Sequence, residues 1–365
     1  MHHRFVITSL LAILTTTGGL PVRGAQSADK SSTPIRRVED IVIYQDPKFY
    51  SAFPSIVRRP DGELIVAFRR APERRALGEK QYSHTDPNSQ LVLVRSRDGG
   101  KTWSHEPELL HAHPFGGSQD PCLVQLRDGT LVCTSYGWAL LNADFAAKFS
   151  ESLRHGSFAF LGGYVLRSKD GGRSWQGPFY PPHVGADNTT DIFGKPVPAY
   201  NRGAMCEGQD GRLYWVVAAN TDTQPRRSET HLLISSDQGE SWSYSCPVAT
   251  DPKVTFNETS LYETPKGVLV AFMRTADFDD HTAVARSADH GKTFQRWQDA
   301  GFQGIPTTRC VCRINASCSS MAIATRRLAF APACSTPNAQ TSPMRGKLFC
   351  AKMAAMAIWG ILGRR

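Results

Sequence analysis

Four copies of one short pattern limit what this chain can fold into more than any other feature. The octamer Ser-x-Asp-x-Gly-x-Thr/Ser-Trp/Phe occurs at 96–103, 168–175, 235–242 and 287–294, with starts 72, 67 and 52 residues apart. Alternating with it is a turn followed by a strand. Pro60-Asp61-Gly62 leads into LIVAF, Arg127-Asp128-Gly129 into LVCTS, Gln209-Asp210-Gly211 into LYWVV, and Pro265-Lys266-Gly267 into VLVAF. Asp-Gly ahead of an alternating or apolar run is a hairpin signal. Such a period, carried by short strands, means radial or stacked repetition. Within each octamer Asp98, Asp170, Asp237 or Asp289 is expected to accept backbone N–H groups, with Gly at positive φ and the hydroxyl closing the loop. The aromatic residue then plugs the gap between hairpins. These are structural residues, not substrate contacts.

The two ends obey different rules. His2, His3 and Arg4 precede an apolar run from Phe5 to Leu20, and small residues follow at Val22, Gly24 and Ala25. Residues 1–25 therefore read as a secretory signal peptide, which places the protein outside the cell or in the periplasm. The run is short for a membrane anchor and is broken by Thr and Gly, and no other stretch reaches spanning length. Residues 26–39 read as a flexible lead-in and 40–303 as the repeat domain. The formal charge of +9 comes entirely from residues 304–365, which hold nine basic residues and no acidic one. It is a property of that tail and is not a nucleic-acid footprint.

The tail also abandons the repeat grammar and turns rich in Cys, Ala and Met. Read out of frame, Met321-Ala322, Met353-Ala354, Met356-Ala357 and Trp359-Gly360 each force a glycine, and acidic residues become encodable again. Residues 304–365 are therefore expected to be a frameshifted ending, produced by a one- or two-base slip near codon 304. Sequencing the coding DNA across that codon tests the reading; the other reading is a divergent but genuine segment. Cys122, Cys133, Cys206 and Cys246 lie outside the tail and are open to either pairing or burial as thiols.

On the four octamers, the chain resembles the Asp-box (BNR-repeat) propellers of the sialidase, or neuraminidase, superfamily. The resemblance implies an all-β fold, a six-bladed β-propeller whose last blade is incomplete or garbled, with a ligand pocket at one mouth of the central channel. It also implies a secreted exo-α-sialidase that removes terminal sialic acids from glycans. Such enzymes use an arginine triad for the substrate carboxylate, an Asp as acid/base and a Tyr nucleophile activated by a Glu. Phe256-Asn257-Glu258-Thr259-Ser260, followed by a strand ending in Arg274, matches the segment that carries the Glu and a triad Arg. His84-Thr85-Asp86 falls where the acid/base loop would lie, and Arg69 or Arg70 ends the first Asp-Gly-initiated strand. Strand alternation lets only one of these two arginines face the pocket.

Two departures count against sialic acid. The triad arginine of the Arg-Ile-Pro signature is replaced by Ala52 in Ala52-Phe53-Pro54. The remaining triad Arg, the Tyr and the strands that would close the propeller exist only in the shifted frame, so this exact polypeptide is expected to be inactive. Asp120 and Arg202 precede apolar strands and are further candidates to face the pocket. With Asp120 and Glu258 as a carboxylate pair, the alternatives are a same-fold hydrolase of a non-sialic sugar or a glycan-binding propeller without turnover. Tyr82, Phe115 and Phe158 are candidate stacking aromatics, with core packing as the competing role. No cofactor or metal is expected: His84, His111, His113 and His183 lack ligand spacing, and the loop with Asp187, Asn188 and Asp191 reads as an inter-blade connection before a calcium site.

Overall fold

The computed structural model describes residues 41–80, 85–149, 153, 157–304 and 347–350. Four antiparallel sheets follow one another along the chain. Blade 1 comprises Phe49–Arg58, Leu64–Pro72, Gln90–Ser96 and Glu108–His111. In blade 2 the inner strand is split into Gly117–Ser118 and Cys122–Gln125, ahead of Leu131–Leu140, Phe158–Ser168 and Gln176–Phe179. Blade 3 is Cys206–Glu207, Leu213–Asn220, Ser228–Ser235 and Ser243–Ala249. Thr255–Glu263, Leu269–Ala276, His281–Ser287 and Gln298–Gln303 make blade 4. A separate two-stranded sheet pairs Ile41–Gln45 with Lys347–Cys350.

The expectation of six blades is thus corrected: among the described residues the all-β propeller has four. The count equals the number of octamers, each of which makes one sheet, and the two extra blades came only from the superfamily resemblance. The last blade is also complete, with four strands, rather than garbled. Residues 305–346 and 351–365, on which the frameshift reading rests, lie outside the described residues, as do the segments read as signal peptide and lead-in.

Packing between blades explains the apolar second and third strands. The first three sheets are covered on both faces, so their central strands lose the alternation of a half-exposed sheet. Leu213–Ala219 is buried throughout. One cluster joins blades 1 and 2 through Ile65, Leu93, Leu131 and Leu166. A second joins blades 2 and 3 through Val132, Val165, Trp215 and Leu233, and a third joins blades 3 and 4 through Tyr214, Leu232, Leu269 and Met273. The octamer aromatics sit where expected: Trp175, Trp242 and Phe294 border these three clusters in turn.

The octamers are the turns between third and fourth strands. In the first, Asp98 accepts the N–H groups of Lys101 and Thr102 and the Thr102 hydroxyl, while Ser96 Oγ receives Gly100 N–H at 2.8 Å. The same bonds recur around Asp170 and Asp289, and Asp237 is bonded likewise by Ser241. These bonds hold the carboxyls of Asp98, Asp170 and Asp289 far below the usual carboxylate range. Neighbouring blades read the turns as well: Arg95 of blade 1 donates to the carbonyls of Gly171 and Gly172 at 2.8 and 3.1 Å.

Candidate functional site

Within or just before the innermost strand of each blade, one side chain comes to a common centre: Phe53, Asp120, Arg202 and Glu258. Arg202 is the hub. Its Nε lies 3.6 Å from Asp120 Oδ2, its NH1 donates to Glu258 Oε1 at 3.3 Å, and its guanidinium stands 4.1 Å from the Phe53 ring centroid. Arg274 donates to the same Glu258 oxygen at 3.0 Å. Three blades therefore meet through one cation, with a fourth contributing the aromatic ring beneath it.

The second strands add another tier. Tyr136 donates its phenol to Asp120 Oδ2 at 3.0 Å. Burial, and then the neighbouring Asp120 charge, push the Tyr136 phenol well above its usual value, so it is a proton-bearing donor. Arg69 is buried, donates to the Gln119 side chain and stands 4.9 Å from the Phe53 centroid. Burial works to lower the Arg202 pKa, but Asp120 and Glu258 outweigh it and raise it further. Asp120 is the most constrained member. It is 4% exposed, and its Oδ1 makes no hydrogen bond among the described residues. A buried carboxylate oxygen without a donor is costly.

The residues picked out from the sequence divide accordingly. Asp120, Arg202, Glu258, Arg274 and Arg69 are brought together. Arg70 is not: alternation turns it to the other face, stacked 4.1 Å over Phe49 and bonded to the Tyr44 hydroxyl at 3.4 Å. Asp86 is fully buried and bidentate with Arg74, at 2.6 and 3.2 Å, and also accepts Asn88 N–H. Ala52 is buried opposite Arg69 in the strand register. Phe115 is exposed and Phe158 half-buried, while Tyr82 and His84 lie outside the described residues.

Sequence reading missed Tyr136 and Phe53, yet a signal for both was present. Phe53, Asp120, Arg202 and Glu258 each stand nine residues before the turn glycines Gly62, Gly129, Gly211 and Gly267. Arg69, Tyr136, Ala218 and Arg274 each stand seven residues after them. Equal offsets from the hairpin turn place these residues at equivalent positions of the four blades.

Other features are structural. Cys122, Cys133, Cys206 and Cys246 are free, buried thiols, and burial pushes Cys122 up to about 11. No group of His, Cys, Asp and Glu among the described residues could hold a metal ion. Asp191 accepts the N–H groups of Phe193 and Lys195, closing its own loop. No helix among the described residues is long and apolar enough to cross a membrane. Two surface clefts, of about 290 and 230 Å³, are lined by Arg59, Glu63 and Arg173 and by Thr221, Arg227 and Asp251. The cluster around Arg202 lies in neither.

Residues 94–105 match the BNR/Asp-box repeat. No curated protein sequence matches the chain. Among solved structures, a Hadza microbial sialidase, Hz136, is 19% identical over 75% of this chain and 52% of its own, with a TM-score of 0.51. An α-L-arabinanase from Penicillium chrysogenum is 15% identical over 74% of both chains, with a TM-score of 0.50. These likenesses show a propeller fold that glycoside hydrolases of different sugar preference share. A protein of unknown function from Dyadobacter fermentans is 57% identical over 75% of both chains, with a TM-score of 0.71. An Asp-box β-propeller with four described blades and a charged centre, the chain belongs to the family of this Dyadobacter fermentans protein.

Proposed function

We propose that the protein is a secreted or periplasmic glycoside hydrolase acting on a non-sialic, neutral sugar of a glycan, with Asp120 and Glu258 as its carboxylate pair. The observation that carries this reading is the buried Asp120 oxygen without a donor, set beside a second carboxylate from another blade. Glycoside hydrolysis needs two such groups, one to exchange a proton with the glycosidic oxygen and one to face the oxocarbenium-like centre. Glu258 is flanked by Arg202 and Arg274 and serves as the charged member; Asp120, with one open oxygen, handles the proton. This pair needs no tyrosine nucleophile, so the part of the expected inactivity that rests on the missing tyrosine does not carry over to it. Asp86, with both oxygens on Arg74, is assigned a positioning role.

Sialic acid fits less well. Ala52 stands in the arginine position, Arg202 and Arg274 are both engaged by Glu258, and Arg69 by Gln119. The test is turnover by the purified chain across nitrophenyl glycosides of neutral sugars, with a sialoside alongside. At least one neutral glycoside should be cleaved, and Asp120→Asn and Glu258→Gln should each lower kcat about 100-fold or more. Binding without cleavage would favour a glycan-binding propeller, and cleavage of the sialoside alone would refute the proposal.

A further inference from the structure

Phe53 is the one apolar member of the four equivalent positions, and it is held there against its own preferences. Its φ is +57°, a left-handed conformation that bulky residues rarely adopt and that persists only where the surroundings impose it. The strand register breaks between Ala52 and Ser55, so the ring leaves the regular ladder to reach the centre. There it lies against two guanidinium groups, 4.1 Å from Arg202 and 4.9 Å from Arg69. The Arg202 nitrogens already meet Asp120 and Glu258, and Arg69 donates to Gln119. Arg202 NH1 donates to Glu258 and its Nε stands 3.6 Å from Asp120, while the Phe53 ring packs against both guanidinium groups.

We infer that Phe53 sets substrate choice by occupying the space in which Arg69 and Arg202 would otherwise bind a carboxylate or sulfate, and so excludes acidic sugars. The inference deepens the sugar-site reading and rests on it for the word "sugar", whereas the masking of two cations stands on the contacts alone. A glycine at position 53 suits the left-handed backbone and removes only the ring.

The experiment is calorimetric titration of the wild-type chain and Phe53→Gly with glucose, glucuronate and inorganic sulfate, each at low and high salt. Wild type should bind glucuronate no more tightly than glucose, and sulfate no more than weakly. Phe53→Gly should gain about tenfold or more for glucuronate and sulfate, the size of one charge-assisted hydrogen bond. The gain should fall at high salt and vanish in Phe53→Gly/Arg202→Gln. Salt-dependent glucuronate binding by wild type, tenfold tighter than glucose, overturns the inference, as does a folded Phe53→Gly with no gain for either anion. If Phe53→Gly does not fold, the wild-type comparison decides. Failure of wild type to cleave any neutral glycoside would sink the hydrolase reading but leave the sulfate result standing, so the two failures are distinguishable.

Discussion

Replacing Arg202 by methionine keeps the side-chain stem against Phe53 and deletes the charge that three blades share. The cost follows from what is left behind. Asp120, 5% exposed at its side chain, would retain only the Tyr136 phenol, whereas Glu258 would keep Arg274. Removing one partner of a fully buried ion pair costs about 3–5 kcal/mol. Arg202 is 26% exposed and one of its two carboxylates is rescued, so about 2–3 kcal/mol is expected at pH 7. In a domain of this size that lowers Tm by roughly 5–10 °C. Urea unfolding at pH 7 supplies the assay. Arg274→Met, at a 38% exposed side chain, should cost below about 1 kcal/mol. Combining Arg202→Met with Asp120→Asn should recover about 1 kcal/mol or more relative to additivity. A deficit under about 0.5 kcal/mol, or one equal to that of Arg274→Met, refutes the hub.

The other expectations test the scaffold. Ser168→Ala removes the acceptor of the buried Gly172 N–H, 2.7 Å away, and should cost about 1–2 kcal/mol by denaturant unfolding; no change would mean the octamer turn holds without its serine. In Gly203→Ala the new Cβ would sit 1.9 Å from the Thr259 carbonyl oxygen, prising blade 3 from blade 4 beside Arg202 and Glu258. A loss above about 3 kcal/mol is expected in thermal melts, and an unchanged Tm would show that the approach is dispensable. Burial, with a smaller contribution from His113, lowers His111 to about 4. The folded value lies below the unfolded one, so the neutral ring's contribution is complete above about pH 6.5 and is lost as pH falls towards 4. Allowing for partial exposure, wild type should lose about 1 kcal/mol between pH 7 and 5 through this ring, and His111→Phe should flatten that slope; an identical slope counts against the assignment.

What the sequence displays plainly is what is local. Asp98 and Thr102 satisfy one another within five residues, so the octamers announce their turns without knowledge of the rest of the chain. The turn glycines do the same for the inner hairpins. Blade number is a property of how sheets wedge together round an axis, and the octamers alone, one per sheet, indicated four where the superfamily resemblance suggested six. Glu258 and Arg274 were visible because their strand motif is distinctive. Asp120 and Arg202 read equally well as pocket or loop residues in the sequence, because they partner one another and Glu258 across three separate hairpins. Arg70 could not be separated from Arg69 without knowing which face of the strand met Phe53.

The sharing of Arg202 among three blades bears on how such a chain can change over generations. Repeats built on interchangeable turns lend themselves to duplication, deletion and reordering, since each hairpin carries its own folding instructions. Here a shuffled or duplicated blade would still fold its octamer but would bring the wrong letter to the centre, leaving Asp120 without the cation of the next blade. The turns permit exchange and the centre forbids it. Substitutions among Phe53, Asp120, Arg202 and Glu258 should therefore be inherited together, and the order of the blades should be kept fixed by a single guanidinium group.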